Sequence, residues 1–559
     1  MMTLMLGLDI GTSATKALLL SADGDIWAAE SPHDLLCPRP GWAEQDPVQW
    51  WHASLDAMKK VLRIARRRAS DITAVGLSGQ MHGSVFLGDS PRPLRPAILW
   101  NDQRTGEQCR RIEQTVGGRE ALVALVSNPA LTGFTAPKIL GMMEHEPKRY
   151  AKVRHILLPK DYIRFCLTGQ YVTDVADASG TLLLDVKARG WCSDLISRLG
   201  IDGNLLPAVM ESTDISGGVS APVAALTGLR ADTTVVAGAG DQAAGAVGAG
   251  VVSPGILSAT IGTSGVIFAA SDKPLTDPHG RIHTMCHAIK NTWCLFGCML
   301  SAGGSYQWMR RMLESALPRA AKISYDRLNA MAASVPPGAE NLIFLPYLTG
   351  ERCPHADPHA RGCFIGLTPS HRAAHMVRAV MEGVTLGMRQ QVELMRGLGV
   401  EVRDIRAGGG GSRSDLWLQM QADMYRANVS TIRVDQGAAL GAAILAGVGT
   451  GVWPSVAKAT AELIETRKKY RPNARRSRYY SELAARYEML YPALAPAFES
   501  LSGLPEALGW PSPVGGTLVP GGAAKALSVC TPRIGSAVAG LNCRRLGVSS
   551  EQRFHCSRA

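Results

Sequence analysis

The pattern of apolar and polar positions predicts a β-hairpin in the first part of the chain. Residues 4–20 hold two apolar runs separated by a short polar turn at 11–13, which is the pattern of two strands joined by a tight connection. A second turn signal follows at 23–24, and another apolar run begins at Ile26. We therefore expect an antiparallel arrangement of three consecutive strands.

The same pattern returns in the second half of the chain. The tetrapeptide Ile-Gly-Thr-Ser occupies residues 10–13 and again residues 261–264, and each copy lies between apolar runs. Self-similarity of this kind indicates a duplicated domain. We place the boundary near residue 248, which predicts an N-terminal domain over 1–248 and a C-terminal domain over 249–500.

Between and after the hairpins, apolar residues recur with helical spacing. Helix-like segments that alternate with strand-like runs predict an α/β fold. After Ser502 the pattern gives way to Gly, Pro and Ser, so we expect residues 505–559 to form a disordered extension. The helix-like segments are 47–68, 138–146, 304–317, 371–398, 414–426, 438–446, 455–465 and 480–491.

The charge of the chain raises a nucleic-acid role, which the local pattern does not favour. The 559 residues include 59 Lys and Arg against 47 Asp and Glu, a formal net charge of +12. The densest basic run, at 467–480, is interleaved with aromatic residues, as in some single-strand binders. Pro472 and Asn473 interrupt it, which favours a solvated connection between helices. We expect no nucleic-acid partner.

The cysteines and the hydropathy of the chain indicate where in the cell the protein is located. The 12 cysteines show no paired metal-ligand spacing, and Cys294 and Cys298 lie in an apolar run, which favours reduced core cysteines and a cytoplasmic protein. No signal-peptide pattern is present at 1–8. The apolar stretch 235–270 contains Asp241, so we interpret it as packed strands and turns rather than a membrane span.

Three glycine-containing turns predict a nucleotide site. Turns of Gly, Thr and Ser present backbone N–H groups and hydroxyls, and both kinds of group donate hydrogen bonds to phosphate oxygens. Two such turns facing each other across a cleft would hold the phosphates of ATP. A third turn, at 407–414, has four consecutive glycines that permit close approach of a flat ring, and Ser412 is placed to cap the following helix. The candidate phosphate-binding residues are Gly11, Thr12, Ser13, Gly262 and Thr263.

Two acids are candidates for the chemistry. Asp9 ends a strand-like run, and a carboxylate there needs a cation, for which Mg²⁺ bound to ATP is the natural candidate. Asp241 lies among small apolar residues, which suits a general base for a substrate hydroxyl and equally suits a helix N-cap. Lys16 is either near the phosphates or on a solvent-facing strand position.

Two polar segments are candidate sugar-binding elements. Gln80, Met81 and His82 follow the strand-like run at 73–77, and strand ends commonly contact ligands in α/β sheets. A second segment offers further groups able to bind hydroxyls. From residue types and spacing alone, a structural role is as good an interpretation for both. The second segment is Trp100, Asn101 and Asp102.

Taken together, these motifs resemble the FGGY carbohydrate kinases. The similarity extends over residues 5–500, and Gln-Met-His-Gly with Leu-Pro-Lys-Asp-Tyr is most similar to the members that phosphorylate D-xylulose. The motifs, in family order, are Asp-Ile-Gly-Thr-Ser at 9–13, Gly-Gln-Met-His-Gly at 79–83, Trp-Asn-Asp at 100–102, Phe-Thr-Ala-Pro-Lys at 134–138, Leu-Pro-Lys-Asp-Tyr at 158–162, Gly-Asp-Gln at 240–242 and Gly-Gly-Gly-Gly-Ser at 408–412.

The resemblance implies a fold and residue roles. It implies two ribonuclease-H-like domains of the actin and hexokinase type with the active site in the cleft between them. Asp241 then matches the proton acceptor, with Gln242 beside it in the substrate site, and Asp9 matches the Mg²⁺-linked acid. Met81 and His82 match the ketose-binding pair. The adenosine end of ATP is expected at Gly410, Gly411 and Ser414.

The implied activity is transfer of the γ-phosphoryl group of ATP to D-xylulose, with Mg²⁺ as cofactor. The expected partners are a ketose sugar and ATP, with no membrane, and a homodimer is the hypothesis for assembly. The nearest alternative is a related kinase for another ketose or polyol, such as ribulose or glycerol. An actin-like or chaperone-like ATPase and an inactive sugar-binding regulator are alternatives from other classes.

Overall fold

The computed structural model describes residues 3–318, 322–434 and 436–503. The expected extension at 505–559 lies outside the described residues. Within them the chain forms two seven-stranded sheets flanked by helices. No helix of this part of the chain is long and apolar enough to cross a membrane.

The first sheet has the strand order β13-β14-β5-β1-β2-β3, and β15 also pairs with β5. The hairpin predicted from residues 4–20 is present as β1 and β2, and β3 extends it antiparallel, as predicted. β5 runs parallel to β1. The strands of the first half are β1 Leu4–Ile10, β2 Ala14–Ser21, β3 Ile26–Pro32, β4 Glu44–Gln45, β5 Ile72–Gly79, β6 Val85–Leu87, β7 Ala97–Ile98, β8 His155–Leu157, β9 Val172–Asp174, β10 Leu184–Asp185, β11 Gly190–Trp191, β12 Ala208–Met210, β13 Ile215–Gly218, β14 Thr234–Val236 and β15 Ala239–Gly240.

The helices of the first half surround this sheet. The first of them begins at Pro47, where Asp46 caps it by accepting a hydrogen bond from the Val48 N–H at 3.0 Å. It ends at Ala65, three residues before the predicted end, because Arg66 adopts a left-handed conformation. The helices are α1 Pro47–Ala65, α2 Gly106–Val116, α3 Arg119–Val126, α4 Thr135–His145, α5 Pro147–Tyr150, α6 Pro159–Thr168, α7 Val175–Ala178, α8 Ser193–Arg198, α9 Ala221–Thr227 and α10 Asp241–Gly248.

The second sheet repeats the plan of the first. Its order is β18-β19-β17-β16-β22-β23-β24, in which β16 and β17 form the antiparallel hairpin and β22 lies parallel to β16. The central strands of both sheets thus share one arrangement, as the repeated tetrapeptide predicts. The strands are β16 Gly255–Ile261, β17 Gly265–Ser271, β18 His283–Cys286, β19 Trp293–Met299, β20 Ile343–Leu345, β21 Cys363–Ile365, β22 Val402–Gly408, β23 Asn428–Ile432 and β24 Thr466–Tyr470.

Two predictions for the C-terminal part were wrong. The basic run at 467–480 is not a connection between helices: its first part is β24, an edge strand, and charged side chains suit an edge because they oppose further pairing. The last helix also starts earlier and ends later than 480–491, since it continues through Pro492 and Pro496. The helices of this half are α11 Gly303–Ser315, α12 Tyr325–Ala333, α13 Ala373–Gly397, α14 Asp415–Tyr425, α15 Ala438–Gly449, α16 Val456–Leu463 and α17 Ala474–Ser502.

Helix α15 joins the two halves of the chain. It lies in sequence between β23 and β24 of the second sheet but packs on β1 and β5 of the first sheet and against α10. Glycines make the approach possible: a Cβ on Gly76 would lie 1.9 Å from the Ala442 carbonyl oxygen, and one on Gly441 would lie 1.8 Å from the Ala244 oxygen. Backbones meet here without side chains between them, so the small-residue composition of α15 reflects packing.

This contact predicts a stability difference between two glycines. Gly76→Ala should lower the free energy of unfolding by about 1–3 kcal/mol, because the added methyl group has no space against Ala442. Gly397→Ala at the end of α13 is the control, since no atom lies within 4 Å of its Cβ position. That change should be neutral or stabilise by up to about 1 kcal/mol. Chemical denaturation of both variants measures the difference, and equal effects would contradict the close contact.

Candidate active site

The proposed catalytic residues meet at one edge of the first sheet. β5 lies between β1 and β15 and is parallel to both, so the carboxyl ends of all three strands coincide. In this register Asp9 is opposite Ser78, and Ser78 is also opposite Ala239, two residues before Asp241. Residues far apart in sequence are therefore adjacent at the edge where ligands of parallel sheets commonly bind.

Asp241 is the first residue of α10, and Gly240 occupies the N-cap position. Its Oδ1 accepts a hydrogen bond from the Gln242 amide at 3.3 Å. Burial, and then the nearby charge of Asp9, raise the pKa of Asp241 to about 7. A carboxyl group with this pKa exchanges its proton near neutral pH, as a general base must.

Asp9 has one carboxylate oxygen enclosed and without a hydrogen-bond partner. Burial raises the pKa of Asp9, although the Ser78 hydroxyl and the Lys16 ammonium partly oppose the rise. An enclosed, unpartnered carboxylate oxygen is costly unless a cation meets it, so the residue fits a Mg²⁺ ligand. Lys16 faces Asp9 across the hairpin and donates a hydrogen bond to the Gln436 carbonyl oxygen at 3.2 Å.

The turn at 11–13 is held by a network of side-chain hydrogen bonds. The Gln80 amide donates to Gln45 Oε1 at 2.8 Å, and Gln80 Oε1 accepts from the Thr12 hydroxyl at 3.1 Å. The Trp100 indole N–H donates to the Thr12 hydroxyl at 3.0 Å. Gln80 is 1% exposed and fixes the turn, and its contact with a sugar stays a prediction. Ser13 follows Thr12 on the same turn.

The second and third turns lie side by side at the end of the second sheet. Parallel pairing of Thr260 with Gly408 brings the turn at 262–264 next to the glycines at 409–411. A Cβ on Gly409 would lie 2.5 Å from the Ile261 carbonyl oxygen. The turn also abuts the start of α11, where the Ala302 N–H donates to the Thr263 oxygen at 3.0 Å. The candidate residues Gly262, Thr263, Gly410 and Gly411 are therefore brought together.

The helix after the glycine turn is capped by a different serine from the one predicted. Ser414 caps α14, because its hydroxyl accepts a hydrogen bond from the Trp417 N–H at 3.3 Å. Ser412 instead donates to the Gly409 carbonyl oxygen at 2.7 Å. Ser414 is the better cap because it directly precedes the first helical residue. Its contact with a nucleotide stays a prediction.

His82 is fixed in an unusual conformation near Asp241. Its φ of 70° is left-handed, and its carbonyl oxygen accepts hydrogen bonds from Lys138 Nζ at 2.8 Å and the Thr135 hydroxyl at 3.0 Å. Its Nδ1 lies 2.7 Å from the Gly180 carbonyl oxygen, so Nδ1 carries the proton. Burial lowers the pKa of His82 to about 3, so the ring is neutral and Nε2 is a hydrogen-bond acceptor.

Met81 connects this histidine to the acid. A Cβ on Gly240 would lie 2.7 Å from Met81 Cγ and 3.0 Å from its sulfur, so Met81 packs directly beside the residue that precedes Asp241. Met81 is also 5% exposed and belongs to an apolar core cluster. The predicted pair therefore lies next to the predicted base, with the methionine as the packed member.

The segment 100–102 divides between two roles. Trp100 and Asn101 line a cavity, and Asn101 Oδ1 has no hydrogen-bond partner. Asp102 does not: it is 1% exposed, and its carboxylate accepts hydrogen bonds from the Ala43 N–H at 2.7 Å and from the Arg104 guanidinium. Protein donors already occupy the Asp102 oxygens, which gives the residue a supporting role, and its contact with substrate stays a prediction.

Sequence reasoning assigned no role to Lys138, which supports the His82 loop. Its side chain is fully buried, burial lowers its pKa to about 7, and it donates to the Gly133 carbonyl oxygen at 2.6 Å as well as to His82. The motif Phe-Thr-Ala-Pro-Lys at 134–138 carried the signal. A lysine within an apolar helical segment indicates a buried cation whose hydrogen bonds fix nearby backbone.

A buried ionic cluster supports the segment that leads to Gly180, whose carbonyl oxygen holds the His82 ring. Lys160 Nζ lies 2.6 Å from Asp161, 2.5 Å from Asp174 and 3.2 Å from Asp177, and all four side chains are 0% exposed. Burial opposes the charge on Lys160, but the three acids more than offset it and raise its pKa. Asp174 also caps α7, and Gly180, a few residues later, accepts the hydrogen bond from His82.

A cavity of about 650 Å³ lies beside these residues. His82, Trp100, Asn101 and Phe134 line it from the first half of the chain, and Arg352 is among the lining residues from the second half. Its walls combine aromatic faces with a few polar groups, which is typical of small-molecule sites.

Comparison with known proteins identifies the family. Residues 4–248 match the N-terminal domain, and residues 257–450 the C-terminal domain, of the FGGY family of carbohydrate kinases. The chain is 38% identical over 491 residues to a xylulose kinase of Bacillus subtilis, covering 88% of this chain and 97% of that protein. It is 37% identical over 493 residues to a xylulose kinase of Escherichia coli, covering 88% and 99%.

Solved structures agree on the fold. The crystal structure of xylulose kinase from Rhodospirillum rubrum matches with a TM-score of 0.82 and 32% identity over 88% of this chain and 99% of that one. Gluconate kinase from Lactobacillus acidophilus matches with a TM-score of 0.84 and 27% identity over 90% and 100%. The predicted two-domain α/β fold of the actin and hexokinase type is confirmed. The chain therefore belongs to the FGGY family of carbohydrate kinases.

Proposed function

We propose that this carbohydrate kinase transfers the γ-phosphoryl group of ATP to D-xylulose, giving D-xylulose 5-phosphate and ADP. The xylulose kinases at 36–38% identity over most of the chain support the choice of sugar. The observation that carries the mechanism is the position of Asp241, a carboxyl group with a pKa near 7 beside Asp9, Met81 and the His82 loop.

In the proposed reaction the 5-hydroxyl oxygen of the ketose attacks the γ-phosphorus. A bond forms between that oxygen and phosphorus, the bond from phosphorus to the bridging oxygen of ADP breaks, and the hydroxyl proton passes to the Asp241 carboxylate. His82 Nε2 accepts a hydrogen bond from another hydroxyl and orients the sugar. Most of the acceleration comes from positioning and charge stabilisation, since phosphoryl transfer leaves the protein little covalent work.

The turns and Asp9 act on the nucleotide. Gly11, Thr12 and Ser13 from one sheet, with Gly262 and Thr263 from the other, donate hydrogen bonds to the phosphates. Mg²⁺, held through the enclosed oxygen of Asp9, would neutralise phosphate charge. Gly410, Gly411 and Ser414 hold the adenosine end.

We propose that the boundary between the two domains lies near residue 248 and separates the turn at 11–13 from the turn at 262–264. The family matches at 4–248 and 257–450 support this division. The cytoplasm is the proposed location, and the nine described cysteines, all without disulfides, support it. The homodimer stays a prediction.

Product identification tests the function. After incubation of D-xylulose with ATP, ¹³C and ³¹P NMR should show phosphorus coupled to carbon 5 of the ketose. Phosphorylation at carbon 1 would contradict the proposed placement of the sugar. Release of inorganic phosphate without a sugar phosphate would contradict transfer to a sugar.

The raised pKa of Asp241 predicts a pH profile. Because the base must be ionised, kcat/KM should rise roughly tenfold per pH unit on the acid side and level off above pH about 7, the pKa of Asp241. Steady-state assays from pH 5 to 9 with saturating Mg²⁺ and ATP measure the profile. A profile that is flat from pH 5 to 9, as an aspartate with the ordinary pKa of 3.8 would give, would contradict the environment described for Asp241.

A further inference from the structure

The cavity beside His82 is completed by the second half of the chain. His82, Trp100 and Asn101 line one part of its wall from the first half, and Glu351 and Arg352 line another part from the second half. No sequence motif assigned to the sugar came from this segment. The cavity therefore has a polar part of its wall that comes from the second half of the chain.

The Arg352 side chain lines this cavity without a protein partner. Among the described residues its guanidinium makes no hydrogen bond or ion pair. Arg352 lies near His82 and His283, because its positive charge is one of the causes that lower the pKa of both rings, with burial as the larger cause. A guanidinium carries five N–H donors in a fixed plane, so an unpartnered one facing a cavity is suited to bind a ligand.

Glu351 holds Arg352 in this position. The Glu351 side chain is 3% exposed, and its Oε1 accepts hydrogen bonds from the Leu300 N–H at 3.0 Å and the Arg352 N–H at 2.7 Å. The buried carboxyl group thus braces the backbone of Arg352 against the end of β19. The backbone position from which the Arg352 side chain starts is therefore held by a buried group.

The charges of the cavity favour a neutral, oxygen-rich ligand over a phosphate. The described lining residues include the acids Glu351 and Asp357 with Arg352, and both histidines are neutral because burial lowers their pKa to about 3. A phosphate dianion is disfavoured here, because Arg352 is the only Lys or Arg among the described lining residues and two acids lie in the same lining. Hydroxyl and carbonyl oxygens of a sugar need only N–H donors, and the aromatic faces of Trp100 and Phe134 suit its carbon–hydrogen surfaces.

We propose that Arg352 is a sugar-binding residue contributed by the C-terminal half of the chain, whose guanidinium donates hydrogen bonds to the oxygens of the ketose opposite His82. This inference rests on the proposed function, because it names a further contact in the same sugar site. It makes the sugar pocket incomplete without the second half, so sugar binding favours contact between the two walls.

Arg352→Gln and Arg352→Lys test the inference in the full-length chain. Arg352→Gln should raise the Kd for D-xylulose, measured by calorimetry without nucleotide, by about 10- to 100-fold, the loss expected for a charged hydrogen bond. The KM for D-xylulose should rise in parallel, while the KM for ATP stays within about twofold. Arg352→Lys keeps the charge and one donor direction and should recover part of the affinity.

Arg327→Gln is the matched control, since Arg327 is exposed on α12 of the same half and lies outside the cavity lining. Its Kd for D-xylulose should equal that of the wild type, and melting curves should show all variants folded. A folded Arg352→Gln variant with unchanged Kd for the sugar, or with only the KM for ATP raised, would overturn the inference.

Wild-type activity separates this inference from the proposed function. If the wild type phosphorylates another ketose in place of D-xylulose, the proposed substrate is wrong, and the same Kd comparison with that ketose decides the role of Arg352. A wild type that binds no sugar overturns both.

Discussion

Asp241→Asn is expected to lower kcat for sugar phosphorylation by about 10²–10⁴-fold, the usual contribution of a general base. The amide keeps the shape of the side chain but cannot accept the hydroxyl proton. A coupled ADP-release assay with saturating D-xylulose and ATP measures the loss. Asp23→Asn, on the exposed turn between β2 and β3, is the control and should retain full turnover.

The same substitution should stabilise the fold above neutral pH. The pKa of Asp241 is about 7 in the folded chain against the ordinary 3.8, so its ionisation costs stability, and that cost grows as pH rises through this range. Asp241→Asn removes the cost, and its melting temperature at pH 8 should exceed that of the wild type, with no difference at pH 4. A variant that is inactive because it has unfolded would show the opposite, and full activity would exclude Asp241 as the base.

Lys160→Met is expected to lower the free energy of unfolding by about 3–5 kcal/mol, because it removes the cation shared by three buried carboxyl groups, of which Asp161 keeps a second cation, Arg164 at 2.9 Å. Asp161, Asp174 and Asp177 are 0% exposed and cannot recover the loss from water. Chemical denaturation at pH 7 measures the change. Because Asp174 caps α7 near Gly180, we also expect weaker sugar binding through the His82 loop.

Lys60→Met removes an exposed ion pair and serves as the comparison. Lys60 and Asp56 are 2.7 Å apart, but their side chains are 42% and 50% exposed. Pairs of this kind contribute at most about 1 kcal/mol. Similar destabilisation by both substitutions would contradict a specific role for the buried cluster.

The hairpins were predictable because their signals are local. Two apolar runs around a Gly-Thr-Ser turn identify β1 with β2 and β16 with β17, and the repeat predicts the shared order of the two sheets. The packing of α15 on the first sheet was not predictable. Its small residues indicate close approach to some backbone, but the partners Gly7 and Gly76 are more than 360 residues away in sequence.

Some predicted boundaries of helices and strands were wrong because tertiary contacts outweighed the local sequence signals. Pro492 should end a helix on local grounds, yet α17 continues to Ser502, with Phe498 buried in the core of the second half. The basic residues at 467–470 form an edge strand because β23 offers a pairing partner. Lys468 and Lys469 then meet Asp415 at 2.7 Å and Asp404 at 3.1 Å.

Within the site, residue type alone did not separate ligand-facing groups from supporting ones. Gln80 and Asp102 are as polar as Asn101, but a hydrogen-bond network that only the fold assembles occupies their oxygens and nitrogens. Arg352 carried no signal, since an arginine among Pro, His and Asp residues suggests an exposed loop. Its place in the cavity lining is set by the folding of the second half, in which Glu351 accepts hydrogen bonds from the Arg352 and Leu300 N–H groups.

The choice of sugar is the central claim, and the fold by itself does not decide it, since a gluconate kinase shares that fold with a TM-score of 0.84. The most direct measurement is ADP release with Mg-ATP and D-xylulose, L-ribulose, D-ribulose, glycerol or no sugar. We predict strong turnover with D-xylulose alone. Preference for another sugar would contradict the proposed substrate, and equal turnover without any sugar would contradict sugar phosphorylation.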